Sequence, residues 1–153
     1  MAAALSAAHQ AGVVHRDFKP ENVLLAARPP LAASNPELSV LPLAKLADFG
    51  TALRFSDLSQ LSERRAIAGT LAYMAPEQLS GEDTGPTADF FALGMVLHEA
   101  RYGQLPSDSF RYEPPGDALD GIILRCLKHD PKQRFTTADA LLAAVRGLSS
   151  REA

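Results

Sequence analysis

The stretch His15-Arg16-Asp17-Phe18-Lys19-Pro20-Glu21-Asn22 is followed at an interval by Asp48-Phe49-Gly50 and then by Met74-Ala75-Pro76-Glu77. Taken one at a time, each string is compatible with an ordinary loop or turn, since Asp, Asn, Gly and Pro are common turn residues. Chance does not explain why all three strings occur in this order in a chain of 153 residues. The strings together therefore indicate a functional site.

In this order the strings resemble the catalytic loop, the metal-binding turn and the end of the activation segment of a eukaryotic-type (Hanks-type) serine/threonine protein kinase, bacterial-like. The resemblance implies a mainly α fold: a protein-kinase-like large (C-terminal) lobe with a short β-hairpin at the catalytic loop. The catalytic-loop string already begins at residue 15. We therefore expect the Gly-rich loop, strand lysine and helix glutamate of the N-terminal lobe to be absent.

By this resemblance, residues 1–148 form a partial kinase domain with three parts. These are a catalytic loop at 13–22, an activation segment at 48–77 and a helical core at 86–148. Residues 149–153 are left as a tail.

Local patterns predict the first elements independently of the resemblance. Residues 1–11 are rich in alanine and predict a helix that Gly12 stops in a left-handed conformation. Residues 13–22 read as a loop, and short apolar runs predict a strand at 23–25 with a partner at 43–47. The Pro- and Ser-rich residues between those strands predict a surface loop.

Three further helices are predicted after residue 85. Thr87 is expected to cap the first, which is apolar nearly all round and so must be buried. The second, at 117–128, carries an apolar stripe on which Cys126 is a small buried hydrophobe. Thr136 with Asp139 forms a capping-box-like start to the last.

The resemblance assigns catalytic roles to five residues. Asp17 would orient the substrate hydroxyl and accept its proton, and Lys19 would contact the transferred phosphate of ATP. Asn22 and Asp48 would bind Mg²⁺, a hard cation that prefers oxygen ligands. Thr70 would hold Asp17 and Lys19 together. The alternative for Asp17, Lys19 and Asn22 is an ordinary polar residue of a loop, and the alternative for Asp48 is a residue of a plain turn.

The resemblance assigns structural roles to four more residues. Glu77 and Arg134 would form a buried ion pair, and Asp89 would tether the backbone of the catalytic loop. Arg16 marks the kinases in which a phosphorylated activation segment docks on this arginine. A solvated surface charge is the alternative for Glu77, Arg134 and Asp89. The candidate phosphate acceptors are Ser56, Ser59 and Ser62.

The implied function is transfer of the γ-phosphate of ATP, with Mg²⁺, to Ser or Thr of a protein substrate. We expect the 153 residues alone to be inactive, because the lysine–glutamate pair of the small lobe must also be in place. A small-lobe segment or a partner chain would complete the site. One alternative is a non-catalytic kinase-like binding module (a pseudokinase half-domain), and another is a small-molecule phosphotransferase.

Composition restricts the other function classes. The net charge of −3 gives no reason to expect nucleic acid or an anionic membrane as a partner. No apolar run approaches a membrane span, and the Ala-rich start lacks the basic region of a signal peptide, so a cytoplasmic protein is expected. His9, His98 and His129 have no metal-ligand spacing, and His15 is expected to be structural.

Overall fold

The computed structural model describes residues 1–27, 43–49, 71–106 and 116–149. These ranges are mainly helical and contain one two-stranded antiparallel sheet. The elements in chain order are α1 (Ala2–Gln10), β1 (Val23–Ala26), β2 (Leu43–Leu46), α2 (Pro76–Leu79), α3 (Pro86–Tyr102), α4 (Ala118–Cys126) and α5 (Ala138–Ser149). Short 3₁₀ helices at Pro20–Asn22 and Pro131–Gln133 complete the described elements.

The first helix ends where the sequence predicts. Gly12 has a φ of +74°, the left-handed conformation that glycine adopts without steric cost. The Gly12 amide donates to the His9 carbonyl at 3.0 Å, and the Val13 amide donates to the Ala8 carbonyl at 2.9 Å. These two bonds form a Schellman motif, which satisfies the last carbonyls of α1 and turns the chain toward the catalytic-loop string.

The predicted hairpin is confirmed. Val23 pairs with Leu46 and Ala26 pairs with Leu43 in antiparallel register. The Ala47 amide donates to the Asn22 carbonyl at 2.9 Å and so extends the pairing by one bond. The hairpin therefore brings the end of the first string beside the start of the second.

The helix α3 is the centre of the core, as its apolar sequence predicts. All residues from Ala88 to Val96 are buried. Around α3 pack α4 and Ala75, while α1 packs against α5. Burial raises the pKa of Cys126 on α4 to about 12, so this thiol is the inert hydrophobe that its position on the stripe predicts.

Two predicted helix starts are wrong in detail. The helix α3 begins at Pro86 after the N-cap Gly85, so Thr87 lies inside its first turn and caps nothing. Proline with its fixed φ is well suited to the first helical position, and this explains the earlier start. The last helix starts after Thr137, whose Oγ1 accepts from the Ala140 amide at 3.1 Å.

The last stretch of the predicted loop at 13–22 is also more regular than expected, since Pro20–Asn22 forms a 3₁₀ turn. Within the described part of the chain, no helix is both long enough and apolar enough to cross a membrane. The predicted surface loop between the two strands lies outside the described residues.

Gly94 permits the close crossing of α3 and α4. A Cβ placed on Gly94 would lie 2.7 Å from Cys126 Cβ and 3.1 Å from Cγ and Cδ2 of Leu127. A contact of 2.7 Å between two carbons near the backbone is relieved only if one helix moves away from the other.

We therefore predict that Gly94→Ala lowers the free energy of unfolding by about 1–3 kcal/mol. Gly121→Ala is the matched control, because Gly121 also lies inside a helix but has nothing within 4 Å of an added Cβ. That control should gain up to about 1 kcal/mol from alanine's helix propensity. Urea denaturation measures both values, and equal effects of the two substitutions would contradict the close crossing.

Candidate active site

The catalytic-loop string brings three of its polar side chains together. The Asn22 Nδ2 donates to the Asp17 carbonyl at 2.7 Å and to Asp17 Oδ2 at 3.3 Å. The ammonium of Lys19 lies 3.1 Å from Asp17 Oδ2. The 3₁₀ turn at Pro20–Asn22 makes this closeness possible, because it folds Asn22 back over the residues that precede it.

Asp48 reaches the same end of the hairpin. It follows Ala47, whose carbonyl oxygen lies 2.9 Å from His15 Nε2, and this contact joins the second string to the first. Asp48 is exposed and has a φ of +56°, and the ring of Phe49 packs 4.6 Å from that of His15. His15, fully buried, is therefore a structural residue that holds the two loops together, as predicted.

A single buried carboxylate fixes the backbone just before Asp17. The oxygens of Asp89 accept from the amides of His15 and Arg16, each at 2.8 Å. Arg16 has a φ of +64°, a conformation that costs a residue other than glycine about 1–3 kcal/mol. The charge-assisted bonds to Asp89 offset that strain. The tether expected of Asp89 is thus present in the structure.

Glu77 and Arg134 form a buried, bidentate ion pair. Arg134 Nη1 lies 2.6 Å from Glu77 Oε1, and Nη2 lies 2.8 Å from Oε2. Arg134 is 1% exposed and Glu77 is 6% exposed. The remaining donors of Arg134 contact the carbonyls of Thr87, Lys128 and His129. Every guanidinium donor has a partner, so the pair is buried without an orphaned group.

Sequence reasoning missed His9. Its Nε2 lies 2.8 Å from Asp89 Oδ2, and its side chain is 9% exposed. Because an ionised carboxylate can only accept, the ring nitrogen donates this bond. His9 follows the fully buried Leu5 by one helical turn, and that spacing is the signal that could have placed it on the buried face of α1.

A second omission is the contact between Tyr73 and Glu99. The Tyr73 hydroxyl donates to Glu99 Oε2 at 2.5 Å. Burial, followed by this hydrogen bond and the charges of Glu99 and Glu21, raises the pKa of Tyr73. The tyrosine therefore stays protonated and fixes the chain just before the 74–77 string to α3.

The donor set near the hairpin fits Mg²⁺ in type. Asn22 and Asp48 supply an amide and a carboxylate, and Mg²⁺ in nucleotide sites is held by one or two such oxygen ligands with phosphates and waters completing the shell. Among the described residues no group of three or more His, Cys, Asp or Glu is placed to hold a metal by itself.

Some predicted residues lie outside the described ranges. These are Thr70, Gly50 and the three candidate phosphate acceptors Ser56, Ser59 and Ser62. Their roles stay predictions. Arg16 itself is exposed, and only its backbone groups have described contacts to Asp89 and to Gln78.

Comparison with known proteins places the chain in a family. The model of the protein kinase domain matches residues 1–144, so the chain belongs to the protein kinase family. It is similar to the probable serine/threonine-protein kinase PkwA of Thermomonospora curvata, with 38% identity over 90% of this chain and 18% of that protein. It is also similar to the serine/threonine-protein kinase PknB of Mycobacterium leprae, with 30% identity over 92% of this chain and 24% of that protein.

Serine/threonine-protein kinase A of Synechocystis sp. is similar at 31% identity over 90% of this chain and 28% of that protein. The chain thus spans less than a third of the length of these three relatives. The three strings predicted the protein kinase family, and all three relatives are named as serine/threonine-protein kinases.

The Glu77–Arg134 pair yields a stability prediction. Removing one partner leaves an uncompensated charge in the interior, so Arg134→Met should lower the free energy of unfolding by about 3–5 kcal/mol. Glu77→Gln should cause a milder loss, because the amide keeps one acceptor for Arg134. Thermal melts of the purified chain measure both effects.

Lys132→Met is the matched control for this prediction, since Lys132 is exposed and lies two residues from Arg134. It should change stability by no more than about 0.5 kcal/mol. If Arg134→Met and Lys132→Met were equally harmless, the 74–77 string would not be anchored to the helical core by this pair.

Proposed function

We propose that these residues form the large lobe of a serine/threonine kinase that transfers the γ-phosphate of ATP to a Ser or Thr hydroxyl of a protein. The observation that carries the proposal is the contact of Asp17 with both Lys19 and Asn22, at 3.1 and 3.3 Å. An acid, a cation and a metal-ligand amide meet there at one point. Phosphoryl transfer needs these parts in one place.

The proposed roles follow from the chemistry of each side chain. Asp17 accepts a hydrogen bond from the substrate hydroxyl, which aims the oxygen at the phosphorus, and takes its proton as the bond to phosphorus forms. Lys19 lies close enough to Asp17 to neutralise charge on the transferred group without itself moving. Asn22 and Asp48 would hold Mg²⁺, which supplies charge compensation for the phosphates when bound.

The surface of the hairpin supports the assignment to a large lobe. Leu24 and Leu25 are 53% and 70% exposed, and Leu43 and Phe49 are also exposed. A group of apolar side chains next to a polar site is expected where another layer of protein or a flat aromatic ligand covers it. We propose that a small lobe and the adenine of ATP cover this surface.

A non-catalytic binding module would use the same apolar surface, so activity must separate the two proposals. The test fuses the 153 residues to the small lobe of a relative such as PkwA. We expect this fusion to transfer phosphate to Ser or Thr of a general protein substrate with MgATP, and Asp17→Asn to abolish transfer. The 153 residues without the small lobe should give no measurable transfer.

Mass spectrometry of the product locates the phosphate, and phosphotyrosine would contradict the Ser/Thr assignment. A well-folded fusion that binds ATP but transfers nothing would favour the binding module. Transfer by the 153 residues alone, lost in Asp17→Asn, would show that the large lobe is sufficient.

A second prediction ranks the site residues in the fusion. Lys19→Ala should lower kcat by about 10²–10³-fold, the usual loss for one group that stabilises transition-state charge. Asp48→Ala should lower kcat further, because a lost metal ligand disturbs both the metal and the nucleotide. Asp83→Ala, which removes an exposed acid outside the site, is the control and should leave kcat unchanged. The reverse order for Lys19 and Asp48 would refute the proposed roles.

A further inference from the structure

The side chain of Gln78 joins two segments of the chain. The Glu77–Arg134 ion pair holds one of them, the 74–77 string, and the Asp89 carboxylate holds the other, the backbone just before Asp17. Gln78 lies in α2, directly after Glu77. Its Nε2 donates to the Arg16 carbonyl at 2.9 Å, and its Oε1 accepts from the Ala75 amide at 3.0 Å. The amide group of one half-buried side chain thus bridges the 74–77 string and the catalytic loop.

These two contacts fix the orientation of the bridge. A backbone amide can only donate and a backbone carbonyl can only accept, so a side chain that serves both must offer an acceptor and a donor from one planar group. Glutamine does this at Ala75 and Arg16. Glutamate could keep the bond from Ala75 but would place a second acceptor against the Arg16 carbonyl.

The peptide groups on both sides of Arg16 are therefore held by side chains. The Arg16 amide donates to Asp89 Oδ1 at 2.8 Å, and the Arg16 carbonyl accepts from Gln78. The carbonyl belongs to the peptide that leads into Asp17. With Arg16 at a φ of +64°, neither peptide group is in a conformation that the residue would adopt by itself.

We propose that Gln78 is a positioning residue, which sets the peptide between Arg16 and Asp17 according to the position of α2. Glu77 ties α2 to Arg134 in the core, and the next residue ties α2 to the catalytic loop. Displacement of α2 removes the donor from the Arg16 carbonyl and releases one of the two restraints on the backbone before Asp17. The part of this inference that concerns catalysis rests on the proposed function.

A pair of substitutions separates this bridge from simple capping of a short helix. Gln78→Leu removes both bonds. Gln78→Glu keeps the acceptor for the Ala75 amide, and its negative charge suits a helix N-terminus, but it has no donor for the Arg16 carbonyl. Gln104→Glu makes the same chemical change at an exposed glutamine far along the chain and serves as the control.

Two measurements on the full chain are compared: the thermal midpoint, and hydrogen exchange of the Arg16 and His15 amides. Gln78→Leu should lower the midpoint more than Gln78→Glu does. Gln78→Glu should accelerate exchange of the Arg16 amide by roughly three- to tenfold, and at least as much as Gln78→Leu. Gln104→Glu should change neither. If Gln78 only stabilised α2, Gln78→Leu would have the larger effect on both the thermal midpoint and the exchange rate. That result would overturn the proposal.

Kinetics of the fusion to a small lobe provide a second, independent test of the positioning role. Gln78→Glu should lower kcat about tenfold while KM for ATP stays constant, because Asp17 is misplaced but the nucleotide contacts are kept. Unchanged Arg16 exchange in Gln78→Glu would overturn the positioning role even in an active kinase. The expected exchange pattern in a fusion that transfers no phosphate would overturn the proposed function and leave the bridge standing.

Discussion

The buried carboxylate of Asp89 is the constraint on which the candidate site depends. It accepts from the amides of His15 and Arg16 and from the ring of His9, all at 2.8 Å. A carboxylate that is 1% exposed is costly unless donors surround it, and here three donors do. The loop at 13–22 has a defined shape, because the buried Asp89 carboxylate needs these donors and because its bonds hold Arg16 at a positive φ.

The Glu77–Arg134 pair plays the corresponding role for the 74–77 string. Glu77 accepts from two of the five guanidinium donors of Arg134, and three backbone carbonyls accept from the others. The centroid of the Phe91 ring lies 4.9 Å from the guanidinium carbon. A buried ion pair adds little stability compared with an apolar replacement. Any arrangement in which one partner is missing is strongly destabilised, because the other charge is then buried and unpaired. Both buried acids therefore act by specifying one geometry, in which two loops distant in sequence meet the same helix α3.

Much of this arrangement could be predicted from the sequence, and the reason is periodicity and turn chemistry. The Gly12 stop, the hairpin and the buried helix α3 each follow from patterns that local physics dictates. The start of α3 was misplaced by two residues and that of α5 by one, because Gly85 and Thr137, not Thr87 and Thr136, directly precede these helices. Asp139, expected in a capping box, bonds the hydroxyl of Ser6 instead.

The partners of His9 and Gln78 could not be predicted in this way. Each is a polar side chain whose partner lies more than 60 residues away, and no local pattern encodes such a contact. The family resemblance supplied two long-range contacts, that of Glu77 with Arg134 and that of Asp89 with the backbone just before Asp17. The same resemblance named Asn22 and Asp48 as metal ligands, and that role stays a prediction.

The packing of α1 against α5 has a consequence for how the protein is made. Ser6 and Asp139, 133 residues apart, share a hydrogen bond of 2.6 Å, and the fully buried Leu5 and Leu141 belong to one core. During synthesis α1 leaves the ribosome well before α5, so the face of α1 that contacts α5 stays uncovered until the residues between them have been made. The contacts between α1 and α5 can form only after α5 has emerged, so this part of the core closes late.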